Sequence, residues 1–234
     1  MKRLLACACA ALALAVWGAQ SGEITAQEKK VDDKDWVQLF NGKDLSGWKA
    51  HPESPGAWEV TDAAIVGSGT KASHLFTERG DYENFHYRLE AKVSDKGNSG
   101  QYFRAKFAKG YPPGYEAQIN STHSDSIRTG SLYPSFLPKM SKEERDMILA
   151  KIIVKEQLVK PDEWFTQEVI ADGNHIQIIV NGKKTVDFVD EGKAFTKGHL
   201  AIQGHDAFKD KEGKVYPTII TVRKAEVKEL PPSK

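Results

Sequence analysis

Phe85, Tyr87, Leu89, Ala91 and Val93 alternate with His86, Arg88, Glu90 and Lys92. Successive side chains of a strand point to opposite faces, so this run can bury one face and wet the other only as a strand. Beyond residue 35 the same style continues, with short apolar runs separated by Gly, Asn, Asp and Pro, the pattern of a sandwich or barrel. His175 to Val180 and Lys183 to Phe188 flank Asn181-Gly182, a dipeptide suited to the positive φ angles of a tight hairpin. Trp164 to Ala171, His199 to Gln203 and Thr218 to Val227 read as further strands. Ser141 to Val154 breaks the pattern. Ser141 with Glu144 three residues on forms a capping box, and Ile148 and Ile152 lie about one turn apart, so the segment reads as a helix. Prolines 134, 138 and 161 surround it, which makes it a loop insertion packed on the sandwich, with a lid over a groove as the alternative.

The amino terminus points to export. Lys2 and Arg3 precede an uncharged apolar run from Leu4 to Val16, which is shorter than the roughly 20 residues of a membrane span. Small residues follow near Gly18 to Ser21, so residues 1–21 read as a signal peptide cleaved between Gly18 and Ala26. Residues 22–35 read as a mobile lead-in and 36–230 as one β domain, secreted or periplasmic. Both cysteines, Cys7 and Cys9, sit in that leader, so the exported chain could form neither a disulfide nor a thiolate metal site. Without Lys2 and Arg3 the chain has 31 basic and 32 acidic residues, near minus one, which favours neither nucleic acid nor an anionic membrane as partner. No later stretch resembles a membrane span.

Motifs for phosphate binding, serine hydrolysis and zinc proteolysis are missing. Polar side chains instead interrupt strand-like text in three places: Asn98 to Arg104, Gly114 to Ile119, and Gln203 to Asp206. The period of two puts Tyr102 and Arg104 on one face of their strand, and Glu116 and Gln118 on one face of theirs. Such a face costs too much as a dry core and suits a concave groove for carbohydrate, whose hydroxyls pair with Arg, Glu and Gln and whose C–H faces pack on aromatic rings. A structural Arg104–Glu116 ion pair on an exposed sheet is the plainer reading. His205 beside Asp206, at a strand end, is a candidate acid or base. His74, His123 and His175 have no ligand-like spacing and are assigned no role.

Trp36-Val37-Gln38-Leu39-Phe40-Asn41-Gly42-Lys43-Asp44-Leu45-Ser46-Gly47-Trp48, with Asn98-Ser99-Gly100, Tyr115-Glu116-Ala117-Gln118-Ile119 and Gln203-Gly204-His205-Asp206, resembles the 3-keto-disaccharide hydrolase family, also catalogued as DUF1080. The resemblance covers about Asp35 to Leu230. It implies an all-β, concanavalin A-like jelly-roll β-sandwich, here with one helical insertion, and cleavage of glycosides oxidised to a ketone at carbon 3. Such a ketone acidifies the hydrogen at carbon 2, so a base can remove it, the aglycone leaves from carbon 1, and water adds back. That route needs a base, an acid and a partner for the enolate. The expected assignments are Glu116 or His205 as base, Arg104 and Gln118 as enolate or hydroxyl partners, and Asp206 as orienter of His205. Tyr102, Tyr115, Asn98, Tyr133 and Gln203 are the expected substrate contacts. A divalent cation held by Glu116 and Asp206 is the one cofactor considered. The long segment between Tyr133 and Trp164 and the Lys209 to Lys214 insertion depart from the family's minimal form. Glu116 is followed at double-displacement spacing by Gln118 and Asn120, so the second acid of that mechanism is absent from the strand. The alternatives are a non-catalytic carbohydrate-binding module and an interaction domain of an exported assembly.

Overall fold

A computed structural model of the protein describes residues 35–231. The expected leader, and the lead-in as far as residue 34, lie outside the described residues.

In chain order the strands begin β1 (Val37–Gln38), β2 (Trp48–Ala50), β3 (Ala57–Thr61), β4 (Ala64–Gly69), β5 (Ser73–Thr77), β6 (Phe85–Val93), β7 (Asn98–Ala105) and β8 (Tyr115–Asn120). After the helix α1 (Lys142–Ile152) come β9 (Phe165–Asp172), β10 (His175–Val180), β11 (Lys183–Val189), β12 (His199–Gly204), β13 (Phe208–Lys209), β14 (Val215–Tyr216) and β15 (Thr218–Glu229). An eight-stranded sheet runs β11-β10-β9-β6-β15-β4-β3, with β1 paired to β15, and a five-stranded sheet runs β2-β5-β12-β7-β8. All pairings are antiparallel and many join strands distant in sequence, giving a jelly-roll β-sandwich.

The alternation in β6 is realised: residues 85, 87, 89, 91 and 93 are buried while their neighbours are half-buried. Phe85, Tyr87 and Leu89 belong to one core with Leu75, Phe103, Tyr115, Ala117, Ile119, Leu200 and Ile202 of the five-stranded sheet. Two buried glutamines tie the layers. Gln101 Nε2 donates to Tyr87 O and Gln167 Nε2 to Ala117 O, each at 3.1 Å. The family-like block at Asn41 to Trp48 is structural, because Asn41 Oδ1 accepts from Lys43 N and Asp44 N and the Trp48 indole donates to Leu39 O. It fixes the chain's entry into β2.

The β10–β11 hairpin turns through Asn181 and Gly182, both at positive φ. Helix α1 has both arms of its capping box, Ser141 Oγ accepting from Glu144 N and Glu144 Oε2 accepting from Ser141 N. It lies near β11 and is pinned by buried Ile152, whose carbonyl accepts from Leu132 N. No residue of α1 lines the polar cavity described below, so it is a packed insertion and not a lid over that cavity. Among the described residues no helix is long and apolar enough to cross a membrane.

Leu89 is fully buried between the sheets. Leu89→Ala is expected to lower unfolding free energy by about 2–5 kcal/mol in denaturant melts, whereas Ser141→Ala should cost about 1 kcal/mol.

Candidate functional site

The inner face of the five-stranded sheet is apolar apart from Gln101, and its outer face carries Asn98, Glu116, Gln118 and Gln203 beside an apolar cluster. Register sets Tyr102 opposite Glu116 and Gly100 opposite Gln118 across β7 and β8, while Ala201 of β12 lies opposite Tyr102. Asn98, Tyr102, Glu116, Gln118 and Gln203 thereby line one cavity of about 550 Å³, walled by Tyr111 to Gly114, Tyr133, Ser135, Phe195 and His205. That volume falls in the range of small-molecule sites.

Glu116 sits at its floor, 5% exposed. Tyr102 Oη donates to Glu116 Oε2 at 2.9 Å, and Gln203 Nε2 lies 3.3 Å from the same hydroxyl. With its amide nitrogen facing these acceptors, Gln118 donates to Glu116 Oε1 at 3.0 Å and to Ser99 O at 3.1 Å. Gly100 is required by close approach, since a Cβ there would lie 2.5 Å from Glu116 Oε1. Burial pushes the Glu116 carboxyl up from 4.5 to about 8; the Tyr102 hydrogen bond pulls it down less strongly, and Asp125 adds to the rise. At neutral pH this group is an acid, able to donate a proton.

His205 is held differently. Its Nδ1 lies 3.1 Å from Asp206 O, a contact that needs the proton on Nδ1 and leaves the Nε2 lone pair free in the neutral ring. Tyr111 Oη is 3.3 Å from that Nε2 but gives its own proton to Asp206 Oδ2 at 2.8 Å, so the lone pair is not consumed. His123, 5.6 Å from His205 between ring centroids, is itself pulled down chiefly by burial. His74 is buried against Tyr102 with ring centroids 4.5 Å apart, and among the described residues neither nitrogen meets a hydrogen-bond acceptor or donor in good geometry. Burial lowers His74 to about 3, the Gly110 backbone opposes that fall, and His205 adds to it.

Three sequence expectations need correction. Arg104 does not share a face with Tyr102, because His199 pairs Ala105 while Ala201 pairs Tyr102, a bulge that leaves Phe103 and Arg104 together opposite Leu200. Arg104 takes a φ of 49° there and turns toward Phe85, donating to Glu83 O and Phe195 O. Tyr115 is fully buried, stacked on Phe103 with its hydroxyl on Asp190, since the alternation that turns Glu116 outward turns Tyr115 inward. Asp206 does not line the cavity and orients His205 through its backbone carbonyl, not its carboxylate. Its carboxylate accepts from Ala72 N and Tyr111 Oη. Glu116 and Asp206 have their oxygens engaged by separate donors, Glu116 by Tyr102 and Gln118 and Asp206 by Ala72 and Tyr111. Among the described residues no group of three His, Cys, Asp or Glu is placed to hold a metal.

Asn98, Tyr102, Glu116, Gln118, Tyr133, Gln203 and His205 are brought together at the cavity. Tyr111, Ser135 and Phe195 were not foreseen. Only Tyr111-Pro112-Pro113-Gly114, a stiff aromatic turn just before a polar strand, carried a readable signal.

Residues 35–223 match the 3-keto-alpha-glucoside-1,2-lyase-like domain. A 3-keto-disaccharide hydrolase of Bacteroides thetaiotaomicron is 26% identical over 98 residues, which cover 37% of this chain and 33% of the relative. The match therefore spans about a third of that relative's length. A candidate glycosyl hydrolase from Parabacteroides distasonis superposes with a TM-score of 0.58 at 20% identity, covering 85% of this chain and 95% of that one. The Emp47p carbohydrate recognition domain superposes at 0.55 with 10% identity, covering 85% and 96%. These two likenesses establish a concanavalin A-like fold.

Between pH about 4.5 and about 8 the unfolded chain has released the Glu116 proton while the folded protein keeps it. The Glu116 contribution to stability is therefore fully present below that window and falls on the order of 1 kcal/mol per pH unit as pH rises through it. Glu116→Gln should flatten this component and raise the melting temperature at pH 8 relative to wild type. A variant that melts no higher at that pH would contradict the buried, protonated carboxyl.

Proposed function

The chain belongs to the 3-keto-disaccharide hydrolase family, the 3-keto-alpha-glucoside-1,2-lyase-like domains, and on that premise we propose that it cleaves 3-keto-glycosides in the Glu116 cavity. His205 Nε2 takes the proton from carbon 2 of the oxidised sugar, and the electron pair moves into an enolate at the carbon 3 oxygen. The pair then returns to form the carbon 1–carbon 2 double bond as the carbon 1–oxygen bond breaks. Glu116, protonated at neutral pH, gives its proton to the departing aglycone oxygen, and Tyr102 and Gln118 hold it for that step. Water then adds across that double bond: its hydroxyl bonds carbon 1 as ionised Glu116 takes its proton, and protonated His205 returns a proton to carbon 2, which frees the 3-keto-sugar and restores both residues. Asn98, Gln203 and Tyr133 bind hydroxyls around the ring. The observation that carries this reading is a buried carboxyl, held by Tyr102 and Gln118, in the same cavity as His205, whose Nδ1 is engaged by the Asp206 carbonyl. The sequence also supports delivery outside the cytoplasm, where a leader of residues 1–21 would be removed.

Incubated with one disaccharide in its 3-keto and unoxidised forms, the protein is expected to release aglycone from the keto form alone. Glu116→Gln and His205→Asn should each lower kcat/KM at least about 100-fold. The rate should fall as pH rises through about 8, with Tyr102→Phe moving that limb upward because a charge-stabilising hydrogen bond is lost. Full sugar affinity in Glu116→Gln with no turnover by any form would support a binding module. Amino-terminal sequencing of protein exported from a bacterial host should start between residues 19 and 26. A mature chain beginning at Met1 would remove the leader.

A further inference from the structure

A second cavity, of about 380 Å³, lies beyond Phe195, which borders both cavities. Arg104 lines it while only 2% exposed. Its Nε and one terminal nitrogen donate to Glu83 O, at 2.9 and 2.6 Å, and the other terminal nitrogen donates to Phe195 O at 3.2 Å. No carboxylate forms an ion pair with it among the described residues, and of the five N–H groups of a guanidinium three are engaged, so two have no protein acceptor among those residues. Placing it there is costly. The residue is at positive φ in a bulge, and Gly198 must be glycine because a Cβ would lie 2.4 Å from the Arg104 carbonyl carbon. Lys193, on the same rim, also has positive φ. Strained residues of this kind persist where surrounding structure enforces them, and they cluster at ligand sites.

The rim residues offer what a sugar ring needs: Asn84 Oδ1 is taken by Gly173 N and Asn174 Nδ2 by Asp190 O, which leaves the Asn84 amide N–H groups and the Asn174 amide oxygen, beside the Thr196 hydroxyl, the two cations, Glu83 and Phe195. Mixed donors and acceptors favour a neutral polyol over an anion, and Glu83, Asp172 and Asp190 all act electrostatically on Arg104 to offset its charge. We propose that this cavity is a second saccharide subsite, which recognises the hydroxyls of an unoxidised pyranose and extends the protein's ligands beyond one disaccharide. This rests on reading the Glu116 cavity as a carbohydrate site.

The test is a two-dimensional NMR titration of the whole protein with maltotriose. The amides of Asn84, Asn174 and Phe195 should shift, Arg104→Met should weaken that response about tenfold or more, and Thr196→Trp, an exposed plug, should abolish it while shifts at Gln118 and Gln203 persist. Unmoved Asn84 and Asn174 amides at saturating sugar, a response surviving the plug, or a response to sodium sulfate and not to maltotriose would each overturn the proposal. The readout is binding of an unoxidised sugar, so it stands apart from turnover. A protein that shifts at Asn84 and Asn174 yet releases no aglycone keeps this site and loses the catalytic reading.

Discussion

In the β7–β8 ladder Tyr102 stands directly opposite Glu116, and the hydrogen bond between them sets the character of the polar face. Burial disfavours the ionised form of this carboxyl, and among the described residues no cation pairs with it. It is instead kept as a neutral acid by desolvation, with Gln118 and Tyr102 satisfying its oxygens. The arrangement tolerates no side chain at Gly100, so the strand beside the acid is shaped around it.

The five-stranded sheet has two working faces. Its inner residues close the core against the eight-stranded sheet, while Phe76, Tyr102, Ala105 and Ala201 form a second apolar cluster outside. Phe107, with its ring 5.1 Å from Phe76, shields part of that outer cluster, and Tyr111 from the same loop reaches Asp206 and His205. The outer face is therefore divided into a covered apolar half and an open polar half. That division explains how a sheet face can be buried residue by residue in β7 and β8 and still present a cavity.

Arg104 and Tyr115 show how far strand periodicity reaches. Tyr115 follows the rule, since its neighbour Glu116 faces the cavity and it must face the core. Arg104 breaks the rule because one extra residue in β7, relative to β12, resets the alternation, and such a bulge has no signature in residues 98–105 alone. His123 reaches the site only through a loop between β8 and α1, and Phe195 only through the loop before β12. Neither placement follows from local pattern.

The sequence by itself determined the strand alternation, the Asn181-Gly182 hairpin, the capped helix and the polar runs on β7, β8 and β12, because each is written in side-chain periodicity or turn chemistry over a few neighbouring residues. It also carried the family resemblance that the comparisons uphold. Tertiary structure decided which polar residues meet, where Arg104 points, how Asp206 spends its carboxylate, and that Glu116 holds its proton. Those outcomes depend on register between distant strands and on desolvation by the packed whole, and neither quantity exists until the sheets have closed.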